Sequence, residues 1–224
     1  MLKSMNIFEK QFREKGFASQ REYPNESLVA FIKVNLKKGE KVLELGCGSG
    51  ANLWFLGKEG YEAYGVDFSS TGIEYCQKML DKYSSKAELK VGDMKKLPYS
   101  DIFFDAVVDV VSVQHLTYAE HSECLREVFR CLKSGGKFFS YHLGENSISY
   151  THGGGNLIDR NTIDNISDSE KPLANNGQTC FLSRNDYHYL LTEAGFKCIK
   201  IDKVIRSYNN QEFCLEYLVV RAEK

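Results

Sequence analysis

The chain has 224 residues, a length typical of one domain with a small elaboration, and 42% of its residues are hydrophobic and 26% charged. The net charge of −1 gives no reason to expect a nucleic acid or an anionic membrane as a partner. The seven cysteines form no CxxC pair and indicate neither a zinc site nor a disulfide framework, so we expect no metal and a reducing compartment. The opening MLKSMNIFEKQFREKG lacks the apolar core of a signal peptide, and no apolar run reaches the ~20 residues of a spanning helix. We therefore expect a cytoplasmic protein.

Apolar residues at three- and four-residue steps predict two helices near the start of the chain, over residues 5–18 and 26–37, with Asn25 as the N-cap of the second. An alternation of strands and helices follows. The strands are predicted at 41–45, 62–66, 87–91, 104–111 and 137–141, and the helices at 51–59, 70–82 and 119–133. This rhythm, with short and nearly all-apolar strands, predicts a mostly parallel α/β sheet with helices on both faces.

The alternation stops after the fifth strand. Residues 143–182 are polar and glycine-rich, without clear periodicity, and a segment of that kind is usually functional, so we expect a substrate lid there. A helix at 184–194 and two β-prone runs at 196–206 and 213–221 follow, and YNNQ between the runs predicts an antiparallel hairpin at the sheet edge. Such an edge can pair with a second copy of the chain, so a homodimer is one expectation.

The stretch EKVLELGCGSGANL, residues 40–53, places Gly46, Gly48 and Gly50 directly after an apolar strand. A glycine turn between a strand and a helix exposes backbone N–H groups and lets a ligand approach closely. Read as Gly46-x-Gly48-x-x-Ala51, with Asp67 about twenty residues downstream, it also fits the dinucleotide fingerprint. The glycines alone therefore leave a nicotinamide-dependent enzyme and another nucleoside-binding protein both open.

Three acids stand at the ends of the first three strands: Glu44, Asp67 and Asp93. The carboxyl ends of parallel strands open onto one crevice, so these acids should face the same ligand. Glu44 would repel a pyrophosphate but would suit a cationic group. Together the acids match S-adenosylmethionine, which offers ribose hydroxyls, an adenine amine, an ammonium and a sulfonium.

Six segments in order resemble the class I S-adenosylmethionine-dependent methyltransferases, over roughly residues 25–221. They are VLELGCGSG (42–50), YGVDFS (64–69), VGDMKKLPY (91–99), FDAVVDVVSVQHL (104–116), LKSGGKFFSY (132–141) and LLTEAGF (190–196). The resemblance implies a Rossmann-like, mostly parallel seven-stranded sheet with a C-terminal antiparallel hairpin. It divides the chain into an N-terminal helical cap (1–39), a cofactor-binding core (40–142), the lid (143–182) and a segment that completes the sheet (183–224).

The resemblance also implies a role for each matching residue. The methionine end of S-adenosylmethionine would lie on Glu44, Gly46, Cys47, Gly48 and Gly50. Asp67 would take the ribose and Phe68 the adenine ring, Asp93 and Met94 would hold the adenine, and Asp109, Val110 and Val111 would pass under the sulfonium. Arg21 would meet the carboxylate and Tyr23 would cover the site.

The sequence indicates the methyl acceptor less clearly than the cofactor. A hydroxyl acceptor needs a general base, and His115 and His142 follow the fourth and fifth strands, so both are candidate catalytic residues. The polar segment 143–182 leads us to expect a small polar acceptor, a sugar or a cell-surface precursor methylated on oxygen. Side chains that could line its pocket are Tyr141, Tyr150, Asn156, Arg160 and Arg184. N-methylation of a small metabolite, an NAD-dependent oxidoreductase and a non-catalytic binding protein remain as alternatives.

Overall fold

The computed structural model describes the backbone of residues 2–19 and 21–224 and the side chains of residues 7–17 and 21–224. The α-helices are α1 (Leu2–Lys15), α2 (Glu26–Asn35), α3 (Ala51–Lys58), α4 (Ser70–Lys82), α5 (Tyr118–Cys131), α6 (Ile148–Thr151) and α7 (Arg184–Glu193). The strands are β1 (Lys41–Leu45), β2 (Glu62–Asp67), β3 (Glu88–Val91), β4 (Phe104–Val110), β5 (Leu132–Leu143), β6 (Leu157–Asp159), β7 (Thr162–Ile163), β8 (Thr179–Cys180), β9 (Lys197–Tyr208) and β10 (Phe213–Glu223).

The main sheet has seven strands in the order β3-β2-β1-β4-β5-β10-β9. The first five are parallel to one another, whereas β10 runs antiparallel to both β5 and β9. This confirms the predicted mostly parallel sheet with a terminal antiparallel hairpin. The chain order of the strands reverses between β1 and β4, and ligands of open α/β sheets bind at such a point.

Helices cover both faces of the sheet because successive strand residues point to opposite sides. Val107 packs in one core with residues of α5 and α7, whereas its neighbours Ala106 and Val108 pack in a second core with residues of α2, α3 and α4. Strands buried on both faces read as apolar runs, which is why their periodicity alone could not assign a face.

The N-cap predicted at Asn25 is confirmed. Its side-chain oxygen accepts hydrogen bonds from the backbone N–H groups of Ser27 and Leu28, at 2.9 and 3.1 Å. These bonds satisfy two of the free N–H groups at the start of α2. The cap also places Asn25 beside the glycine turn, because its own N–H donates to Asn52 of α3 at 2.9 Å.

Segment 143–182 has more regular structure than its sequence suggested. It contains α6 and a small sheet in the order β6-β7-β8, and it closes a separate apolar core of Leu143, Ile163, Ile166 and Phe181. Strands of two or three residues are too short to produce a readable alternation, so the sequence could not reveal them. The segment is therefore a folded layer beside the end of β5.

Neither a membrane-spanning helix nor a metal-binding group of side chains occurs in the part of the chain that the structure describes. No helix there is long and apolar enough to cross a membrane. Within residues 2–19 and 21–224, no three His, Cys, Asp or Glu side chains come together in a group that could hold a metal ion.

Candidate active site

A cavity of about 390 Å³ opens at the carboxyl ends of β1, β2 and β4, where the strand order reverses. Its walls come from the glycine turn after β1, the ends of β2 and β4, helix α1 and the folded segment after β5. Twelve of the residues singled out in the sequence line it: Arg21, Glu44, Gly46, Cys47, Gly48, Asp67, Phe68, Asp93, Met94, Val110, Val111 and His115.

Two glycines of the turn after β1 stand where a side chain would collide with its neighbours. Gly46 has a φ of +59°, and a Cβ there would collide with Ser112, whose hydroxyl donates to the Gly46 carbonyl at 2.9 Å. Gly50 does not line the cavity, which corrects the prediction for it. It is the N-cap of α3 with a φ of +86°, and a Cβ there would lie 2.6 Å from Cys76 Sγ. Gly46 therefore makes room for Ser112, and Gly50 allows the turn to enter α3.

Glu44 lies at the end of β1 and is 2% exposed. Its Oε1 accepts from Asn52 Nδ2 at 2.5 Å, whereas its Oε2 is buried and has no hydrogen-bond partner among the described residues. Burial raises the pKa of Glu44 to about 8, although Asn52 and the charge of Arg21 act in the opposite direction. A buried carboxyl with one free oxygen beside a cavity is an electrostatic site for a cationic ligand group.

Asp67 and Asp93, the two other acids at strand ends, line the cavity and also accept hydrogen bonds from backbone N–H groups. Asp67 accepts from Gly48 N at 2.8 Å and from Ser69 N at 2.9 Å, and burial raises the pKa of Asp67. Asp93 accepts from Lys95 N at 2.9 Å. Each carboxylate can accept further bonds, because a carboxylate has about four lone-pair sites. Asp67 thus shapes the glycine turn and can also take ligand hydroxyls.

The placement of Asp109 corrects a prediction. Its side chain is fully buried and does not line the cavity, because its oxygens accept from Ser112 N, Val113 N and Ser140 Oγ at 2.9, 3.0 and 2.6 Å. Burial raises the pKa of Asp109 to about 6. Val111, two residues later, faces the cavity with a φ of +56°, which is rare for a β-branched residue and is typical of functional sites.

His115 is the histidine that reaches the cavity. Its Nδ1 lies 2.9 Å from the carbonyl oxygen of Gln178, so the proton belongs on Nδ1 and the lone pair on Nε2. Nε2 makes no hydrogen bond among the described residues. Burial lowers the pKa of His115 to about 4, against the opposing effect of the Gln178 carbonyl, so the ring is neutral at physiological pH. A fixed, neutral ring with a free lone pair is equipped to accept a proton.

His142 is not in the cavity, which corrects its assignment as a base. It is fully buried, with Nδ1 at 2.8 Å from the Leu143 carbonyl oxygen and Nε2 at 2.9 Å from His121 Nε2. Burial first, and the neighbouring His121 second, hold its pKa well below the usual range. Both ring nitrogens are therefore used inside the core, and neither can meet a substrate.

The N-terminal segment contributes differently from the prediction. Arg21 lines the cavity, but Tyr23 does not: it is 66% exposed and packs against Trp54, with ring centroids 6.4 Å apart. The cover over the site comes instead from α1, whose Phe8 lies over the ring of His115 at a centroid distance of 4.5 Å. Glu9 holds this helix down by accepting from the hydroxyls of Ser69 and Thr71.

Several wall residues were missed by the sequence reasoning. They are Phe8, Gln11, Phe12, Ser49, Ala51, Asn52, Gly92, Ser112, Gln114, Leu116, Leu143, Leu173, Asn176 and Tyr217. Half of them come from α1, from the end of β5 and the segment after it, and from β10, and no motif connects those regions with the glycine turn. Conversely, none of the five side chains proposed for the acceptor pocket lines the cavity: Tyr141, Tyr150, Asn156, Arg160 and Arg184. Seven of the missed wall residues lie inside stretches quoted in the sequence analysis and could have been named: Ser49, Ala51, Asn52, Gly92, Ser112, Gln114 and Leu116.

Comparison with known proteins starts from a family model. Residues 42–136 match the model described as a methyltransferase domain. The chain is 38% identical over 103 residues to a fatty-acid O-methyltransferase of Mycolicibacterium smegmatis. That alignment spans 45% of this chain and only 36% of the relative, so the shared region is the domain core.

Two solved structures share the fold across nearly the whole chain. A SAM-dependent methyltransferase from Methanosarcina mazei has a TM-score of 0.70 at 22% identity, with 86% of this chain and 96% of that chain covered. The 1,6-didemethyltoxoflavin-N1-methyltransferase of Burkholderia thailandensis, solved with S-adenosylhomocysteine, has a TM-score of 0.71 at 15% identity, with 98% and 86% covered. The domain match over residues 42–136 agrees with the resemblance drawn from the motifs, and the two structures show that the chain has the fold of solved S-adenosylmethionine-dependent methyltransferases.

Proposed function

We propose that the protein transfers a methyl group from S-adenosylmethionine to a small molecule. The observation that carries this proposal is the buried Glu44 oxygen without a partner, next to the glycine turn and to Arg21. A cationic ammonium would satisfy Glu44, and the cofactor carboxylate could meet Arg21. Two further features support the cofactor: carboxylates at the ends of β2 and β3, and aromatic and thioether side chains beside them at Phe68 and Met94.

When bound, S-adenosylmethionine supplies a methyl group already activated by positive sulfur. The protein then has to align the acceptor with that methyl and keep water away. Phe8 and Phe12 of α1 and Leu173 of the segment after β5 form apolar walls for this purpose. Gln11 of α1 donates to Asn176 at 3.3 Å, so the two covering segments are joined over the cavity.

His115 is the general base in this proposal, since it lines the cavity and its Nε2 lone pair has no partner among the described residues. Its lowered pKa keeps the ring neutral but also makes it a weak base. Such a base suits an acceptor whose proton is already acidic, as in a phenol, which titrates near ~10, better than an alkyl alcohol. We therefore favour an acidic hydroxyl or N–H on the acceptor.

The predicted sugar or cell-surface acceptor stays a prediction that no contact in the cavity supports. The relatives named above act on a fatty acid and on a toxoflavin precursor, and we take from them only that the acceptor is a small molecule. Methylation of oxygen rather than nitrogen, a cytoplasmic location and a homodimer remain predictions as well.

Calorimetric titration with S-adenosylhomocysteine tests the cofactor assignment, with NAD as the matched negative ligand. We expect micromolar binding of the first and none of the second. Because Glu44 is protonated below pH 8 and must ionise to meet an ammonium, binding at pH 7 should release close to one proton. Titrations in two buffers with different ionisation enthalpies measure that release.

A Glu44→Gln variant is the control for the proton count. It should bind S-adenosylhomocysteine at least about tenfold more weakly and release no proton. Binding of NAD alone would mean that the dinucleotide interpretation of the turn was right. Binding of S-adenosylhomocysteine without proton release would remove Glu44 from the ammonium site.

A further inference from the structure

Gln114 is a buried amide at the wall of the cavity. It is 4% exposed, it lines the cavity, and its Oε1 is buried with no hydrogen-bond partner in the described part of the chain. Its Nε2 likewise bonds to none of the described residues. Buried amides in folded proteins nearly always have partners, so an unused amide at a cavity wall indicates a missing ligand.

The fold has no need of Gln114 to hold its own turn. Residues Val113–His115 form one turn of 3₁₀-helix, and Asp109 caps it by accepting from Val113 N at 3.0 Å. Gln178 holds the turn through two hydrogen bonds with His115. Its side-chain Nε2 donates to the backbone carbonyl of His115 at 2.9 Å, and its backbone carbonyl accepts from His115 Nδ1. The Gln114 side chain takes no part in these bonds, so it is available to bind a ligand.

The cavity around Gln114 indicates the chemistry of its partner. Leu116, Leu143, Leu173, Phe8 and Tyr217 give the cavity apolar and aromatic walls, whereas its carboxylates lie at or just after the ends of β1, β2 and β3. A carboxamide presents one donor and one acceptor side by side. Its terminal torsion is broad, so either atom can turn toward the cavity. Paired hydrogen bonds to an uncharged group satisfy both atoms without burying a charge.

We propose that Gln114 recognises the methyl acceptor through paired hydrogen bonds, and that the acceptor is an uncharged ring carrying a neighbouring donor and acceptor, as in a lactam. This inference rests on the proposed function, since it assumes that the remainder of the cavity holds S-adenosylmethionine. It makes Gln114 a specificity-determining residue beside the base His115.

The test uses the full chain saturated with S-adenosylhomocysteine, with 2-pyridone as the probe and phenol as the probe that lacks the second hydrogen-bonding atom. Ligand-observed NMR titration gives the affinity of each. The variant is Gln114→Met, which keeps the length of the side chain and removes both polar atoms. The matched control is Gln77→Met, because Gln77 is an exposed amide on α4 that bonds Asp81 at 2.9 Å.

We expect 2-pyridone to bind the wild type and Gln77→Met with equal affinity. Its affinity for Gln114→Met should be at least about tenfold lower, whereas the affinity of phenol should change little. The melting temperature of Gln114→Met should not fall, because the Gln114 side chain has no hydrogen bond to a described residue that could be lost. Equal affinity of 2-pyridone for wild type and Gln114→Met, no binding to the wild type, or a clear drop in the melting temperature would each overturn the inference. S-adenosylhomocysteine binding is measured first, so its failure would identify the proposed function as the wrong step.

Discussion

Two histidines at neighbouring strand ends show how much the surroundings of a side chain decide its chemistry. Both His115 and His142 have Nδ1 at a backbone carbonyl oxygen, and burial lowers the pKa of both rings. They differ at Nε2, which in His115 has no partner among the described residues and in His142 is held by His121. Only the free nitrogen can take a proton from a substrate.

We predict that His115→Ala lowers methyl transfer at least about a hundredfold while S-adenosylhomocysteine affinity changes little. His142→Ala should lower the melting temperature instead, because it opens a cavity in the core beside His121 and Tyr187. Turnover in an acceptor screen and thermal unfolding of both variants check this. A stable His142→Ala protein without activity, or a fully active His115→Ala protein, would reverse the two roles.

The sequence could predict the site residues that belong to local motifs and not those that depend on packing. Glu44, Asp67 and Asp93 were accessible to reasoning because parallel strands bring their carboxyl ends together. The prediction for Asp109 failed because an acid at a strand end can also cap the next turn, and periodicity does not distinguish the two. Tyr217 was out of reach, since its contact with the cavity exists only after β10 has paired with β5.

At the level of elements, α1 forms one wall of the cavity. It packs on α4, and Glu9 ties it to Ser69 and Thr71 at the start of that helix. Phe8, Gln11 and Phe12 of α1 all line the cavity. The strength of the Glu9 contacts should therefore set how long a ligand stays beneath the helix.

We predict that Glu9→Ala raises the dissociation rate of S-adenosylhomocysteine about tenfold, with a smaller effect on the association rate, because most contact losses appear in the off-rate. Stopped-flow fluorescence measures both rates. Glu14→Ala is the matched control: it lies on the same helix, is exposed, and its only ion pair is the 3.7 Å contact with Lys10 in the described chain. An unchanged dissociation rate for Glu9→Ala would show that α1 does not retain the ligand.

For the whole molecule, buried titratable groups make stability depend on pH in two opposing ways. The pKa of Glu44 is raised to about 8 and that of Asp109 to about 6, so these acids favour the folded state at low pH and lose that contribution as pH rises. The pKa values of His115 and His121 are lowered to about 4, and that of His142 well below its usual value. The histidines therefore favour folding above their ordinary pKa of 6.5 and lose that contribution on acidification.

We predict that the free energy of unfolding is largest near pH 7, where the histidine contribution is nearly complete. Between pH 7 and pH 8 it should fall by on the order of 1 kcal/mol per pH unit, because Glu44 is still losing its contribution there. Urea unfolding at a series of pH values measures it. Glu44→Gln should remove the decline, whereas Glu62→Gln, an exposed acid on β2, should keep it. A decline that persists in Glu44→Gln would assign it to another group.

The position of β10 in the sheet has a consequence for the order of folding. Residues 42–136, the matched domain, end inside β5, yet β5 pairs on its outer side with β10, so that Tyr217 lies opposite Leu143 across more than seventy intervening residues. Contacts of such high sequence separation form late, because the chain between them must be ordered first. Until then the edge of β5, with Phe138 and Phe139, stays open to other strands. Aggregation during refolding should therefore be governed by how fast the β9–β10 hairpin docks, and substitutions in that hairpin would change the yield of folded protein before they changed its chemistry.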